Sequence, residues 1–233
     1  MHSIVDSFRS RWVARHIGLS TIRPFFIARL SQAKVYNKTH GLDNIAFLDT
    51  LRREDKMANW GSKMIRSFDC KSPKIAESAW VSEAAYVVGD VEIGQNSAVW
   101  PGAVVRADFT NIRIGDNTDI EDNCVIHGMP GEPMEIGNNV VITHGAVVHS
   151  RSIGNDVFIG FNAAILPHAE IGNRCFIAAN SVVTEGMKIP DGSFVAGAPA
   201  EVKGKISENQ LSWIKSHLEV YPQMARRLKE QGL

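Results

Sequence analysis

The sequence predicts a mainly β fold, a solenoid of short strands built from six-residue repeats. An aliphatic residue recurs at every sixth position over long stretches, all twenty such positions are isoleucine or valine, and the residues four places later are mostly small. A period of six fits neither an amphipathic helix nor a half-buried strand alone, so it indicates a repeat in which three hexads close one coil. The twenty positions are Ile75, Val81, Val87, Ile93, Val99, Val105, Ile114, Ile120, Ile126, Ile136, Ile142, Val148, Ile153, Ile159, Ile165, Ile171, Ile177, Val183, Ile189 and Val195.

The six-residue register is interrupted three times, each time close to a histidine-bearing coil. The first interruption adds three residues after Val105, the second adds a loop at residues 128–133, and the third removes one residue after Val148. Uninterrupted coils of a solenoid only pack on each other, whereas loops and breaks carry function. We therefore expect the functional site near these breaks.

Two appendages flank the repeat, so we predict an N-terminal extension at 1–70, the β-helix at 71–204 and a C-terminal helix at 205–233. Ser207 and Gln210 form a capping box at the start of that helix. Pro222 is expected to kink or divide it. Its apolar face consists of Leu211, Ile214, Leu218, Tyr221 and Met224.

The extension is basic, with 12 Lys and Arg against 6 Asp and Glu in residues 1–70, whereas residues 71–233 hold 13 against 19. Ile4, Phe8 and Trp12 lie on one face of a predicted helix, the pattern of an arginine-rich, acid-poor mitochondrial targeting segment. A helix that packs on a partner or a membrane surface is an equally good interpretation. No apolar run reaches the roughly 20 residues that span a bilayer.

Three of the eight histidines fall within residues 126–149. Grouping the hexads in threes places His127 and His149 at equivalent positions of successive coils, so they should stack roughly 4.8 Å apart. His144 belongs to the middle hexad, on another face, too far away for metal–nitrogen bonds of about 2 Å within one chain. We therefore predict a trimer in which a second subunit supplies His144 to each site. No comparable set of histidines in register surrounds the others, which are His2, His16, His40, His168 and His217.

Several blocks of the sequence resemble the gamma-class carbonic anhydrase family, over about residues 72–231. The matching blocks are Arg106-Ala107-Asp108, Asp119-Ile120-Glu121-Asp122, His127, Thr143-His144-Gly145 and His149. The resemblance implies a trimer of left-handed β-helices with zinc, or iron or cobalt, bound by the three histidines. It also implies that Arg106 and Asp108 form an interface ion pair and that Asp122 supports the site.

Three neutral imidazoles leave zinc its full charge and one open position, which lowers the pKa of the bound water to about 7 and provides hydroxide for attack on carbon dioxide. Bicarbonate is the expected product. The family usually has glutamine where this chain has Glu121, and a carboxylate there should raise the pKa of that water. The acidic proton-shuttle loop of the family's archetypal enzyme is missing, and only Glu132 offers a substitute. The sequence therefore predicts metal binding and leaves activity open.

Three functions remain open. One is a gamma-type carbonic anhydrase, another is a metal-binding structural or assembly subunit with little activity, and the third is a hexapeptide acyltransferase. The basic extension resembles that of mitochondrial family members, which form homotrimers or heterotrimers on the matrix side of the inner membrane, on the membrane arm of respiratory complex I. Trp12, Phe25 and Phe26 are candidate docking residues for that complex. A cytoplasmic location is the alternative, and we expect no nucleic-acid partner.

Overall fold

The computed structural model describes residues 64–233, which form a parallel β-solenoid of about seven turns followed by one helix. The predicted mainly β fold with a C-terminal helix is confirmed. The predicted helical extension lies outside the described residues, as do Trp12, Phe25 and Phe26. Left-handed winding, which comes from the resemblance, and trimer formation, which comes from the histidine spacing as well, stay predictions.

Most strands of the solenoid are only two residues long, as a six-residue repeat requires. They are β1 (Ile65–Arg66), β2 (Lys74–Ile75), β3 (Trp80–Val81), β4 (Tyr86–Ile93), β5 (Ala98–Val99), β6 (Val104–Ile114), β7 (Asp119–Ile120), β8 (Val125–His127), β9 (Met134–Ile136), β10 (Val141–Ile142), β11 (Val147–Val148), β12 (Ser152–Ile153), β13 (Phe158–Ile159), β14 (Ala164–Ile165), β15 (Glu170–Ile171), β16 (Phe176–Ile177), β17 (Val182–Val183), β18 (Lys188–Ile189), β19 (Ser193–Gly197) and β20 (Ala200–Lys205).

The strands form three rows, the three sides of each coil. The first row is β1, β4, β6, β8, β11, β14 and β17, and the second is β2, β4, β6, β9, β12, β15 and β18. The third row is β3, β5, β7, β10, β13, β16 and β19, and β20 returns antiparallel along β19. Each strand pairs in parallel with its counterpart one coil later, as Ile153 pairs with Ile171. Three hexads therefore close one coil, as predicted.

The repeated aliphatic residues fill the interior of the solenoid. All twenty predicted positions are buried except Ile75 and Val81, which are partly buried in the N-terminal coils and pack against the same core. Burying a side chain of this size stabilises the fold by roughly 1.5–3 kcal/mol. The stack of isoleucine and valine thus accounts for both the fold and its register.

The first two register breaks lie at the corner between the first and second rows. The long strands β4 and β6 turn this corner without ending, and the three added residues after Ala107 bulge outward as the pairing shifts between Gly89 and Val91. One of the added residues is Phe109, whose side chain is 57% exposed. The second insertion is the loop of residues 128–133 between β8 and β9.

The C-terminal helix α1 (Glu208–Glu230) packs against the third row of strands. The predicted capping box is confirmed, because the Gln210 amide donates to Ser207 Oγ at 3.3 Å and the Ser207 amide donates to Gln210 Oε1 at 2.8 Å. Pro222 lies inside the helix and does not divide it. The missing N–H of proline weakens one turn, but apolar packing of Ile214 before it and Ala225 after it holds both halves on the strands. No helix in residues 64–233 is long and apolar enough to cross a membrane.

Substitution of Gly89 tests how tightly β4 and β6 pack at the corner. Its φ is +86°, and a methyl group there would overlap the carbonyl oxygen of Ala107. We expect Gly89→Ala to lower the free energy of unfolding in urea by about 3 kcal/mol or more, because strain and overlap add. Gly131→Ala is the matched control, since its φ is +75° but nothing lies within 4 Å of the added methyl. It should cost only about 1 kcal/mol, and equal losses would contradict this interpretation of the corner.

Candidate metal centre

The predicted site residues occupy the two ends of the first row of strands. Glu121 and Asp122 lie in the turn before β8, and His144 lies in the turn before β11. His127 ends β8, and His149 follows β11. His144 and His149 are therefore at opposite ends of one strand, on the order of 15 Å apart along the chain. One ion cannot reach both histidines of the same chain.

His127 and His149 stack on each other as the register predicted. Their ring centroids are 4.9 Å apart and the rings are inclined by only 17°. The stack follows from strand pairing, because Ile126 pairs with Val148 immediately before the two histidines. His149 Nε2 lies 3.3 Å from the carbonyl oxygen of Gly128.

Arg106 and Asp108 surround His127. They form an ion pair with each other, His127 Nε2 lies 2.9 Å from Asp108 Oδ1, and an Arg106 nitrogen lies 3.3 Å from His127 Nδ1. Since a guanidinium only donates, Nδ1 accepts and the Nε2 proton is donated to Asp108. Burial lowers the pKa of His127, and the Arg106 charge adds to this effect against the attraction of Asp108. Burial acts to raise the pKa of Asp108, but the hydrogen bonds from His127 and Arg106 outweigh it and lower that pKa.

His144 sits between two carboxylates from the preceding coil. Its Nδ1 lies 3.0 Å from Asp122 Oδ2, and its Nε2 lies 3.2 Å from Glu121 Oε2. The His144 backbone amide also donates to Glu121 Oε2 at 3.0 Å. A carboxylate on one ring nitrogen fixes the tautomer and orients the other nitrogen, which is the usual support of a metal-binding histidine. The ring of Phe161 stacks on the His144 ring, with centroids 5.5 Å apart.

The predicted site residues thus fall into two groups at different corners. Arg106 and Asp108 accompany His127 and His149, whereas Glu121 and Asp122 accompany His144. Within residues 64–233 one group of three or more possible ligands gathers its atoms within 4.8 Å, and it consists of Asp119, Glu121 and His217. This group was not predicted as a unit.

The contact between His217 Nε2 and Glu121 Oε1 is 2.5 Å. Two ligands of a tetrahedral zinc ion with bonds of about 2.0 Å lie roughly 3.3 Å apart. The shorter separation is that of a hydrogen bond to a carboxylate. We therefore interpret this group as a hydrogen-bonded pair, Glu121 and His217, with the carboxyl of Asp119 beside it.

Asp119 is buried beside this cluster. Trp100 Nε1 donates to its Oδ1 at 2.5 Å, while its Oδ2 has no hydrogen-bond partner among the described residues and lies 3.8 Å from His217 Nε2. Burial raises the pKa of Asp119 to about 8, and the neighbouring charges of Glu121 and Asp122 act in the same direction. Burial and the charge of Glu121 also raise the pKa of Tyr221 to about 12.

Two histidines that the sequence set aside have carboxylate partners. His217 contacts Glu121, 96 residues away, and His168 Nδ1 lies 2.9 Å from Glu132 Oε2 in the loop of residues 128–133. Neither histidine joins the stacked pair of His127 and His149, but each contacts a carboxylate that the sequence did not predict as its partner. No spacing within the repeat signals either pair, because one depends on the docking of α1 and the other on the path of an inserted loop.

Comparisons with known proteins agree with this fold and with the resemblance. Residues 152–185 match the family described as bacterial transferase hexapeptide (six repeats). A probable carbonic anhydrase of Methanocaldococcus jannaschii is 43% identical over 155 residues, 66% of this chain and 98% of that protein. The chain belongs to the gamma carbonic anhydrase family. Gamma carbonic anhydrase 2, mitochondrial, of Arabidopsis thaliana is 33% identical over 70% of this chain, and the match spans 60% of that relative's length.

Solved structures place this gamma carbonic anhydrase family member among hexapeptide-repeat proteins as well. A crystal structure of a Bacillus cereus protein provisionally assigned as an acetyltransferase superposes with a TM-score of 0.70 and is 32% identical. The match covers 72% of this chain and 97% of that protein. The fold is therefore shared with proteins assigned to a different reaction, and the site residues must decide the function.

The raised pKa of Asp119 predicts how stability depends on pH. The folded protein holds this proton up to about pH 8, whereas the unfolded chain releases it near pH 3.8, so the buried carboxyl costs stability as pH rises between these values. We expect Asp119→Asn to raise the free energy of unfolding by roughly 1–3 kcal/mol near pH 8 and by little near pH 4.

Asp191→Asn is the control of opposite sign. Asp191 is an exposed carboxylate whose pKa is lowered by hydrogen bonds from the Asn173 side chain and backbone. Its replacement should destabilise the protein, and more so above pH 4 than below. Urea unfolding across this pH range measures both variants, and a pH-independent effect of Asp119→Asn would contradict the prediction.

Proposed function

We propose that this protein is a gamma-class carbonic anhydrase whose metal ion lies between subunits. His127 and His149 of one chain and His144 of its neighbour would hold the ion, in a trimer with three such sites. The observation that carries the proposal is the stacked pair His127 and His149 at 4.9 Å, together with the placement of His144 at the other end of the same row. Two imidazoles are side by side, and the third needs a second chain.

The donor set fits zinc. Imidazole nitrogens suit zinc and also iron and cobalt, and three neutral histidine ligands are a known catalytic zinc set. When bound, such an ion supplies a water of lowered pKa as the nucleophile that converts carbon dioxide to bicarbonate. The lowered pKa of His127 favours the neutral imidazole that a metal requires.

The chain's own residues prepare these ligands. Asp122 accepts from His144 Nδ1, so Nε2 is the nitrogen that would bind the ion in place of its contact with Glu121. Glu121 holds the His144 backbone through its amide and places Oε2 3.2 Å from His144 Nε2. At the other corner Arg106 and Asp108 contact the two ring nitrogens of His127 and fix its orientation, so an ion would replace one of these contacts. These four residues are the positioning and catalytic groups that we propose around the metal.

Exposed apolar side chains at the two corners support the proposed trimer. Phe109 contacts His127 at one corner and is 57% exposed, and Phe161 stacks on His144 at the other corner and is 38% exposed. Val147, on the strand between the corners, is 44% exposed. A row of apolar groups along one face is typical of a surface that another subunit covers. The mixing experiment below tests whether two copies of this chain can supply the ligands of one site.

A metal-binding structural subunit with little activity is the second candidate. Glu121 is the observation that favours it, because a fully buried carboxylate lies beside His144. Its negative charge opposes the release of a proton from water near the ion. The acyltransferase alternative rests on the likeness to the Bacillus cereus protein, and retention on immobilised coenzyme A would support it.

Mixed trimers test whether the metal site is shared. We expect His144→Ala and His127→Ala proteins to lack metal when made alone. In a co-expressed one-to-one mixture, about a quarter of the interfaces combine the intact His127 and His149 of one chain with the intact His144 of the other. Zinc content and carbon dioxide hydration should both return to about that fraction of the wild-type values.

A mixture of His127→Ala with His149→Ala is the matched control, since every interface then lacks one ligand of the stacked pair. It should regain neither metal nor activity. Failure of the first mixture to regain metal would contradict a site between chains. Regained metal without hydration would favour the structural subunit.

We further propose that the protein acts in mitochondria, on the matrix side of the inner membrane, as part of the membrane arm of complex I. The basic extension and the mitochondrial Arabidopsis relatives support this location, and archaeal and bacterial relatives support the cytoplasmic alternative. Fractionation followed by native electrophoresis should find the full chain in a large membrane complex. Recovery only as a free soluble trimer would contradict the complex I assignment.

A further inference from the structure

The C-terminal helix α1 carries one histidine against the buried carboxylate of Glu121. His217 Nε2 lies 2.5 Å from Glu121 Oε1. The His217 ring stacks on Tyr221, one helical turn later, at 3.9 Å and 12°, and its edge meets Phe158 at 6.1 Å. Ile214, one turn earlier, is buried against Val141 and Phe158 and anchors the helix there. The imidazole is therefore held in place on several sides.

The two oxygens of Glu121 have different partners. Oε1 faces His217 on α1, whereas Oε2 accepts the His144 amide at 3.0 Å and lies 3.2 Å from His144 Nε2. A carboxylate is planar, so a hydrogen bond that holds one oxygen restricts where the other can lie. Glu121 thus connects the C-terminal helix directly to a proposed metal ligand.

Glu121 needs such a donor for electrostatic reasons. Its side chain is fully buried, and the carboxyl of Asp119 lies in the same cluster. A buried carboxylate is costly unless hydrogen bonds compensate for lost water. A neutral amide at this position would need less compensation, because it carries no charge. His217 therefore supplies the hydrogen-bond donor that a buried glutamate at position 121 requires.

We propose that His217 is a positioning residue, which holds and compensates the Glu121 carboxylate so that its second oxygen stays beside His144. The inference rests on the proposed carbonic anhydrase function and deepens it. It assigns to α1 a role in the chemistry of the site, beyond packing on the strands. It also explains how this chain accommodates a carboxylate beside a metal ligand.

The test uses the full chain as purified, with four substitutions. His217→Leu removes the donor, His217→Gln keeps a side-chain N–H, and Glu121→Gln removes the charge that needs compensation. Lys215→Leu is the matched control, because it places the same apolar residue on an exposed part of the same helix. Carbon dioxide hydration, metal content and Tm are measured for each protein and for the double variant His217→Leu with Glu121→Gln.

We expect His217→Leu to lower kcat/KM about tenfold with metal content unchanged, and His217→Gln to restore most of the loss. In the Glu121→Gln background, His217→Leu should change kcat/KM by no more than about twofold, because the two residues act as one unit. The Tm should follow the same pattern, falling by about 5 °C for His217→Leu alone and much less in the Glu121→Gln background. Lys215→Leu should change none of these values.

Two results would overturn the proposal. Equal losses in both backgrounds would mean that His217 only packs, and loss of metal in His217→Leu would mean that this histidine is needed for metal binding and not only for the placement of Glu121. If the wild-type protein hydrates no carbon dioxide, the proposed function fails. The Tm values then test separately whether His217 positions Glu121. Coupled shifts of Tm would then support the positioning of Glu121 by His217, and additive shifts would reject it.

Discussion

Each coil of the solenoid hydrogen-bonds in register to the coil before it, which holds residues at equivalent positions at the spacing of neighbouring strands. The inward isoleucine and valine residues keep this register, because a slip by one residue would turn every one of them toward solvent. The stacked rings of His127 and His149, 4.9 Å apart, are a direct consequence. So is the alignment of Asp122, His144 and Phe161 in successive turns along one corner. The proposed metal ligands are thus positioned by the backbone ladder and then oriented by side chains.

The interruptions of the six-residue register change which side chains lie at the corners of the coils. The three residues added after Ala107 bring Asp108 and Phe109 out beside His127, where a regular hexad would have only turned the corner. The loop of residues 128–133 places a carbonyl on His149 and reaches His168 through Glu132. Regular coils supply a rigid frame, and the insertions supply the polar groups around the stacked pair.

The repeat could be predicted from the sequence because it is local and periodic. Twenty positions of one residue class at a fixed spacing leave a single way to bury them, and the stacking of His127 on His149 follows from the same count. The family resemblance predicts an interface ion pair of Arg106 and Asp108 and a supporting role for Asp122. Within one chain Arg106 contacts Asp108 and Asp122 contacts His144, and the roles themselves stay predictions. Pro222 does not divide α1 as expected from the sequence, because packing of the flanking turns keeps the helix continuous through it.

The solenoid, its register and the separation of His144 from the stacked pair could be predicted from the amino-acid sequence, since all of these follow from a short repeat and hydrogen bonds between adjacent coils. The surroundings of Glu121 could not be predicted, because they depend on how the chain packs. His217 is 96 residues away in sequence, and its position depends on where the apolar face of α1 meets the third row of strands. Nothing in the spacing of either segment encodes that contact, because docking of a helix on a sheet is set by the shapes of both surfaces. The buried pair of Glu121 and His217, and the raised pKa of Asp119 beside it, arise from that docking.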